Sequence, residues 1–253
     1  MKDAHTVPGY TLQDDPDAPY EVFIAGETVD LVVPSVRAVV HDGWHRWFND
    51  PDVTRYSDYG LYPNTREAQY EYFKAMRDPA NKSRLGLLII PKGEEKPVGI
   101  ASLSNIHPIH LSAETAIVIG ERPTSRGALF WGMEAKARIV EHGFEVLGLK
   151  RIGGAQAMPL ANWQNYQVLF GFRPEGVKRD AHRRGHQVWD SVISSCSLAD
   201  YLAVKAAREG AYWPGREKLL ELMRSVPRYS LSEAVKKAID ESVAEFVGDM
   251  HQT

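Results

Sequence analysis

The chain has 253 residues, of which 43% are apolar, so it can bury a full hydrophobic core and is not disordered throughout. Its 30 basic and 33 acidic side chains give a net charge of −3, which argues against nucleic acid as the main partner. The single cysteine, Cys196, can form neither an internal disulfide nor a thiolate zinc cluster. We therefore expect a reducing compartment and interpret Cys196 as a small buried residue rather than a nucleophile.

The N-terminus has no apolar run of the kind that forms a signal peptide, and no segment reaches the roughly 18 apolar residues of a membrane span. Both patterns predict a cytoplasmic protein that does not contact a membrane.

The first third of the chain predicts a polar tail followed by a strand and two helical segments. Residues 1–26, which begin with many prolines and aspartates, favour an N-terminal tail or a surface wrap. A β-branched run that ends at a proline predicts a first strand over 27–34. Apolar spacing predicts helical segments over 41–49 and 65–77, and Thr65 is the candidate N-cap of the second.

Strands and helices continue through the middle of the chain. Three short apolar runs predict an antiparallel meander, with the sequence P-K-G-E-E-K-P as the turn between the first two. These runs cover 84–90, 98–104 and 113–120. Helical and β-branched spacing then predicts a helix over 133–147, a strand over 151–157, a short helix over 162–170 and a closing strand over 188–196.

Helix-forming residues dominate after Leu198, and they predict a C-terminal helical extension over 202–253. Short helices fit 199–209 and 216–224, and the capping box Ser230-x-x-Glu233 opens a last helix. That helix carries an apolar stripe of Val235, Ile239, Val243, Phe246 and Met250. The first interpretation folds the stripe back onto the domain, and the second places it in a homodimer or another partner contact.

Several spaced motifs resemble one known family. The run W-H-R-W-F-N-D-P-D-V-T-R-Y is similar to the W-x-N-D-P-x-V-x-R-Y signature of RimJ/RimL-like GNAT acyltransferases. The runs K-P-V-G-I-A-S-L-S-N-I-H and S-A-E-T-A-I-V-I-G-E resemble the third and fourth strands of that family. G-M-E-A-K-A-R-I-V-E-H-G-F-E-V-L-G-L-K-R-I resembles its cofactor helix and the next strand, and F-G-F-R-P-E-G-V-K-R-D resembles the end of the fold.

The resemblance covers residues 27–201 and implies a GNAT domain there. The implied class is α/β (α+β), with a mixed, mostly antiparallel central sheet that is flanked by helices. The implied activity is transfer of an acyl group, usually acetyl, from acetyl-CoA or another acyl-CoA to an amine. The acceptor could be a small-molecule amine, an amino sugar or a protein N-terminus.

The resemblance also implies how the donor is held. The pantetheine arm pairs like an added strand where the fourth and fifth strands of the family separate, and the matching residues are Ile117, Val118 and Ile119. The pyrophosphate rests at the N-terminus of the following helix, where free N–H groups favour an anion. The matching residues there are Arg126, Gly127 and Ala128.

The phosphate loop departs from the family pattern. The family has Gln/Arg-x-x-Gly-x-Gly/Ala, whereas this chain has T-S-R-G-A-L-F-W-G-M-E-A, which is longer and carries Leu129, Phe130 and Trp131. Glycine lets a backbone approach phosphate closely, so bulky residues at this place favour a reshaped donor loop. They also leave two alternatives open: an inactive GNAT-like binding or assembly module, and an enzyme with a larger acyl donor.

Three residues are candidates for the chemistry. Direct transfer needs a base for the ammonium and an acid for the departing thiolate. By the resemblance, Glu114 is the candidate base, and Tyr166 is the candidate acid after a one-residue shift from Gln167. Asn162 resembles a cofactor-binding asparagine, and a helix cap explains it equally well.

The acceptor side has aromatic and histidine candidates. Tyr59 and Tyr62 lie in a loop beside glycine and proline, and we expect them to contact the substrate. His107 and His110 fit a turn, and either could shape the acceptor pocket or supply a base. Because no Cys/Asp/Glu set accompanies them, we predict no metal site. The basic run 179–186 fits a solvated loop, or recognition of an acidic acceptor or of the donor's 3′-phosphate.

Overall fold

The centre of the protein is an eight-stranded sheet, seen in a computed structural model that describes residues 15–78, 80–121 and 128–250. The strands are β1 (Val22–Ile24), β2 (Val29–Val32), β3 (Leu85–Pro91), β4 (Gly99–His107), β5 (Ser112–Ile119), β6 (Arg151–Ala157), β7 (Arg173–Arg184) and β8 (Gln187–Ser197). Their order is β1-β2-β3-β4-β5-β6-β8-β7. β5 and β6 are parallel, whereas β1–β2, β2–β3, β6–β8 and β7–β8 are antiparallel. The predicted mixed, mostly antiparallel sheet is therefore confirmed.

Helices fill the connections and follow the last strand. The α-helices of the described residues are α1 (Val36–Val40), α2 (Arg66–Arg77), α3 (Ala128–Glu145), α4 (Ala161–Gln167), α5 (Leu198–Ala206), α6 (Arg216–Ser225) and α7 (Leu231–Met250). Short 3-10 helices cover Trp44–Asn49, Met158–Leu160 and Val168–Phe170. By internal packing the described residues form two compact units, one of residues 15–54, 59–78, 80–102, 117–121 and 128–135 and one of residues 55–58, 103–116 and 136–250.

An aromatic cluster forms the core of the first unit. The ring of Trp44 lies 5.2 Å from Trp47, 4.9 Å from Phe48 and 4.8 Å from Phe73. The helical segment predicted here is a 3-10 helix, whose three-residue turn brings the side chains at i and i+3 to one side. Trp44 and Trp47 are therefore buried together. Full burial of each such ring contributes about 1.5–3 kcal/mol to stability.

The buried carboxylate of Glu134 joins the start of β2 to α3. It accepts hydrogen bonds from the backbone N–H groups of Glu27 and Thr28 at 2.6 Å each, and from Thr28 Oγ1 at 2.7 Å. Charge-assisted bonds of this kind offset the cost of burying a carboxylate. The Glu134 side chain thus connects α3 to the residues that precede β2.

A β-hairpin of β7 and β8 forms one edge of the sheet. The sequence predicted a loop followed by one strand here, and that prediction is wrong. β7 pairs with β8 from Arg173/Ser195 to Arg184/Gln187, and Gly185 turns the chain with a φ of +61°. β7 is the last strand of the sheet, and most of its side chains are exposed. Polar edge strands lack the apolar alternation that sequence patterns detect. The basic run predicted as a loop therefore lies largely in β7.

The C-terminal extension does not begin at a domain boundary. α5 starts at a capping box formed by Ser197 and Asp200 and runs across the predicted boundary at 201/202. Tyr201, inside this helix, is buried and donates from its hydroxyl to Glu145 Oε1 at 2.6 Å. Further along, the ring of Trp213 stacks on Phe170 at 6.3 Å. The beginning of the extension is part of the core of the second unit.

The last helix, α7, is most buried at its beginning. Ser230 Oγ accepts the N–H of Glu233 at 3.2 Å, so the predicted N-cap is confirmed. Lys236 pairs with Asp190 at 2.9 Å, next to the β7–β8 hairpin. Farther along the apolar stripe, Phe246 is 68% exposed and Met250 is 61% exposed. The stripe is folded back at its start and faces solvent towards its end.

Within residues 15–78, 80–121 and 128–250, no helix is both long enough and apolar enough to cross a membrane.

Candidate active site

The parallel pairing of β5 with β6 stops after three residue pairs. These pairs are Ser112/Arg151, Ala113/Ile152 and Glu114/Gly153, and the described residues form no further pair between the two strands. β6 continues to Ala157 with β8 as its antiparallel partner, and β5 continues to Ile119. Backbone groups that leave a ladder inside a sheet need other partners. An extended ligand with amide groups, such as a pantetheine arm, meets that need.

Glu114 lies at the last pair before the strands stop pairing. Its side chain is exposed and forms neither a hydrogen bond nor an ion pair with any described residue. Opposite it stands Gly153, which has no side chain to cover the carboxylate. The carboxylate is therefore accessible to a substrate amine or to a bridging water, as a general base must be.

The three predicted pantetheine contacts follow directly along β5. Ile117, Val118 and Ile119 are all partly buried, and Val118 packs against the aromatic cluster of the first unit. Ligand recognition by strand addition uses the backbone of such a segment, whereas its apolar side chains can pack in the core. Their role as donor contacts stays a prediction.

The end of β5 is fixed by Trp47. Trp47 Nε1 donates to Glu121 Oε1 at 2.8 Å, and the Trp47 ring lies directly against Gly120. A Cβ at position 120 would approach ring atoms of Trp47 to 2.0–2.5 Å, so no other residue fits there. The W-x-x-W part of the early motif thereby positions the chain at the entrance to the predicted phosphate loop.

The predicted phosphate site lies mostly outside the described residues. Arg126 and Gly127 are not among them, and Ala128 is described only by its backbone, as the first residue of α3. Leu129, Phe130 and Trp131, predicted as bulky loop residues, are instead in the first turn of this helix, and Phe130 is 6% exposed. Because α3 is 18 residues long, its N-terminal N–H groups and dipole favour an anion.

The turn that contains His107 and His110, called the histidine turn below, is stabilised by the imidazole of His107. His107 Nδ1 accepts the backbone N–H groups of Ile109 at 3.3 Å and of His110 at 3.1 Å, and the two imidazoles stack at 4.3 Å. Both histidines are exposed. These bonds support the turn interpretation for His107, and a contact with the acceptor stays a prediction for both. In the described part of the chain, no group of three or more His, Cys, Asp or Glu side chains could hold a metal ion.

The two predicted tyrosine contacts differ in their surroundings. Tyr59 packs its ring against Phe48 at 4.8 Å and is 45% exposed. Tyr62 is 83% exposed, so its ring is available to a substrate. Both lie in the first unit.

Tyr166 and Asn162 lie one turn apart on α4 and line the same cavity of about 470 Å³. α4 begins at Ala161, and its N-cap is Leu160, so the interpretation of Asn162 as a cap is wrong. The rest of this cavity is formed by Asn165, on the same helix, and by the C-terminal extension. Neither residue is brought near Glu114 by any contact that the structure describes.

A buried polar cluster beside α4 was not predicted. Lys136 on α3 donates from Nζ to Gln167 Oε1, and Gln167 Nε2 donates to Gln156 Oε1 on β6. Burial lowers the pKa of Lys136 to about 7. The sequence contained one signal for it: Lys136 stands three residues after Met133 and three before Ile139, on the apolar face of α3. Gln167 therefore faces the core, whereas Tyr166 faces the cavity.

Cys196 is fully buried in β8, and burial raises the pKa of its thiol to about 12. The prediction of a small buried residue is confirmed, since a thiol held in its protonated form is a poor nucleophile.

Comparison with known proteins identifies the domain. Residues 35–157 match the sequence model of the family described as "Acetyltransferase (GNAT) domain". The chain contains a GNAT acetyltransferase domain. The match confirms the predicted fold and the predicted acetyltransferase class and, with that class, acetyl-CoA as the donor that GNAT domains use.

Solved structures have the same fold. RimJ from Mycobacterium smegmatis, in complex with CoA-disulfide, is 19% identical with a TM-score of 0.59, over 78% of this chain and 97% of that one. Spermidine N-acetyltransferase from Vibrio cholerae, in complex with CoA and spermine, is 16% identical with a TM-score of 0.59, over 70% of this chain and 99% of that one. A putative acetyltransferase from T. thermophilus is 21% identical with a TM-score of 0.56, over 75% and 95%. No curated protein sequence gives a significant match.

The matched residues of the GNAT domain include the candidate base and the β5 segment but end before α4. Glu114, Ile117, Val118, Ile119, His107, His110, Tyr59 and Tyr62 lie inside 35–157, whereas Asn162 and Tyr166 lie beyond it. The roles of all these residues stay predictions.

Proposed function

We propose that the protein transfers an acetyl group from acetyl-CoA to a primary amine by direct attack of the amine on the thioester. The observation that carries this proposal is the end of the β5–β6 ladder at Glu114/Gly153 inside a GNAT acetyltransferase domain. When bound, acetyl-CoA supplies an activated acetyl group on a sulfur that leaves as a thiolate.

The residues of this chain fit that donor. The backbone of Ile117 to Ile119 offers an extended edge to an amide-bearing arm, and the N-terminus of α3 offers N–H groups to phosphates. Glu114 takes the proton of the acceptor ammonium, which leaves a nucleophilic amine. Tyr166 is the proposed proton donor to the leaving sulfur, and Asn162 a proposed donor contact one turn away on α4.

Two relatives and the exposed groups of this chain support the proposed acceptor class. One relative is named a spermidine N-acetyltransferase and another RimJ, so we propose a small polyamine-like amine or a protein N-terminus as acceptor. The W-x-N-D-P motif and the RimJ likeness support a place in the RimJ/RimL-like branch. Tyr62 and the histidine turn are the proposed acceptor contacts.

The test is a binding measurement followed by a transfer assay. Acetyl-CoA is titrated into the full chain in a calorimeter, and a panel of polyamines, amino sugars and N-terminal peptides is then incubated with enzyme and donor. We expect saturable donor binding, a higher melting temperature with acetyl-CoA, and one acetyl mass added to an amine. A second panel of larger acyl-CoA donors identifies the preferred acyl group by the mass transferred. Absence of binding by any acyl-CoA overturns the proposal and leaves the binding-module alternative.

A further inference from the structure

The connector between α6 and α7, residues 226–230, is held on α4 by one side chain. Asn165 Nδ2 donates to the carbonyl of Tyr229 at 2.7 Å and to that of Pro227 at 3.3 Å, and Asn165 Oδ1 accepts the N–H of Leu231 at 3.0 Å. Asn165 is 7% exposed. This side of α4 is therefore fixed against the C-terminal extension.

The opposite side of α4 is fixed to β6 and to α3. Gln167 Oε1 accepts from Lys136 Nζ on α3, and Gln167 Nε2 donates to Gln156 Oε1 on β6. One turn earlier, Gln164 Nε2 donates to the carbonyl of Ala157 at 2.8 Å. All of these residues belong to the second unit. Two glutamines thus bind α4 to the end of β6, and one of them also binds α3.

These side-chain contacts set the rotation of α4 about its own axis. The helix has seven residues, which is too short for its own hydrogen bonds to stabilise it. The face towards the cavity carries Asn162, Asn165 and Tyr166. The face towards the core carries Gln164 and Gln167, which are 7% and 3% exposed. The other walls of the cavity come from the C-terminal extension and are Met223, Arg224, Val226, Pro227 and Arg228.

The buried ammonium of Lys136 favours this one rotation. Lys136 is 3% exposed and forms no ion pair with a described residue. Its Nζ lies 3.8 Å from the ring centre of Phe172 and 5.8 Å from that of Trp163, so Gln167 supplies its hydrogen-bond acceptor. If α4 turned Gln167 out of the core, the ammonium would stay buried without that acceptor. Removal of one partner from a buried charge is strongly destabilising.

The rotation of α4 decides which side chain the cavity receives. The resemblance to the GNAT family places the proton donor at position 167, where this chain has glutamine, and the phenol of Tyr166 stands one residue earlier. A step of one residue turns a helix by about 100°. The rotation that holds Gln167 in the core is therefore the one that presents Tyr166 to the cavity.

We propose that Lys136 and Gln167 are positioning residues for acetyl transfer, because their hydrogen bond fixes the rotation of α4 that turns Tyr166 towards the leaving sulfur. This inference rests on the proposed function. In that reaction the amine nitrogen bonds to the acetyl carbon and the carbon–sulfur bond breaks. Glu114 takes the amine proton, the sulfur keeps the bonding pair, and the phenol gives it a proton. Lys136 and Gln167 hold the phenol in place and transfer no proton in this step.

Steady-state kinetics on the full chain, with acetyl-CoA and the best amine of the panel, test this inference. Lys136→Met and Gln167→Met should each lower kcat by about tenfold or more, because a small misplacement of a reacting group is enough for such a loss. The KM for acetyl-CoA should stay close to that of the wild type. Lys136→Met removes an unpaired buried charge, so it should be slower although it is more stable at pH 6. A purely structural role would not combine these two effects.

A double-mutant cycle connects the effect to the phenol. Tyr166→Phe is expected to lower kcat by about 100-fold, and addition of Lys136→Met should lower it no further, because no hydroxyl is left to position. Gln167→Glu keeps an acceptor for the ammonium and should recover most of the rate that Gln167→Met loses. Tyr201→Phe is the control, since its hydroxyl binds Glu145 rather than α4, and kcat should be unchanged.

The outcomes separate this inference from the proposed function. Unchanged kcat in Lys136→Met and Gln167→Met overturns the positioning role and leaves acetyl transfer intact. Additive losses in the double variant overturn it as well, and so does a Tyr166→Phe variant with the wild-type rate. If Gln167→Met does not fold, Lys136→Met and Gln167→Glu decide the question. A wild type that transfers no acetyl group overturns the proposed function and this inference together.

Discussion

The ammonium of Lys136 and the side-chain carbonyl of Gln167 share a hydrogen bond in the core, where each residue is 3% exposed. Lys136 Nζ also lies 3.8 Å from the centre of the Phe172 ring. No carboxylate of the described residues lies within 4 Å of this ammonium. An amide and the rings of Phe172 and Trp163 surround the charge without an ionic partner among the described residues, so burial lowers the pKa of Lys136 to about 7 from its ordinary 10.5.

Lys136→Met is expected to stabilise the protein at pH 6 by about 1–4 kcal/mol, because it removes a buried charge that lacks an ionic partner. The folded pKa of Lys136 lies below its ordinary value, so the unfolded chain binds more protons between pH 7 and 10.5. The stability of the wild type therefore rises with pH in this window. The advantage of the variant should shrink by about 1.4 kcal/mol per pH unit above 7.

Urea unfolding at pH 6, 8 and 9.5 measures this difference. Lys237→Met is the control, since Lys237 is exposed on α7, and its effect should not vary with pH. An advantage of Lys136→Met that is independent of pH would contradict the pKa assignment. Loss of the Gln167 hydrogen bond in the variant can lower the free energy of unfolding by a constant amount. Such a loss would not contradict the pKa assignment, because it does not change how the free energy of unfolding varies with pH.

Glu114→Gln is expected to reduce turnover by about 100-fold or more and to remove the rise of rate with pH that a carboxylate base produces. Acetyl-CoA binding should be unchanged, because the carboxylate acts on the acceptor. Initial rates across pH with the best amine of the panel measure this, and Glu95→Gln in the exposed β3–β4 turn is the control. An unaltered pH–rate profile would move the base to another group, and His107→Gln and His110→Gln are then the next variants.

Asn165→Ala is expected to release the connector from α4. The variant leaves the carbonyls of Pro227 and Tyr229 and the N–H of Leu231 without their partner, at a cost of about 1–3 kcal/mol. Hydrogen exchange should rise over 226–231 and at the start of α7. Asn162→Ala, an exposed asparagine on the same helix, is the control for stability. Equal protection of the connector in both variants would show that other contacts hold it.

The alternative interpretation of the apolar stripe, a homodimer contact, is testable at Phe246. This residue and Val243 are 68% and 56% exposed on α7, a pattern typical of interaction sites. If α7 pairs with a second copy, Phe246→Glu converts a dimer into a monomer in sedimentation velocity without changing helix content. Leu202→Glu, an exposed apolar residue on α5 outside the stripe, should leave the mass unchanged. A wild type that sediments as a monomer at all concentrations would contradict the dimer.

Local patterns were enough to predict the layout of the sheet and of the helices around it. The meander, the helix over α3 and the caps at Thr65 and Ser230 follow from hydrophobic period and from short-range hydrogen bonds, and all are present. β7 was missed because a charged edge strand has no buried face along most of its length. The bulky residues after Ala128 were assigned to a loop because the resemblance places the phosphate loop of the family there.

Some features of the candidate site could likewise be predicted from the sequence, whereas others required the tertiary structure. The sequence by itself determined the domain and named Glu114 and the β5 segment, because spaced motifs and strand periodicity are local properties of the chain. Only the tertiary structure decided that pairing ends at Glu114/Gly153, that Lys136 is buried against Gln167, and that Arg224 and Arg228 share a cavity with Tyr166. These relationships join residues about 30 to 60 positions apart, and such distances are set by packing rather than by any pattern along the chain.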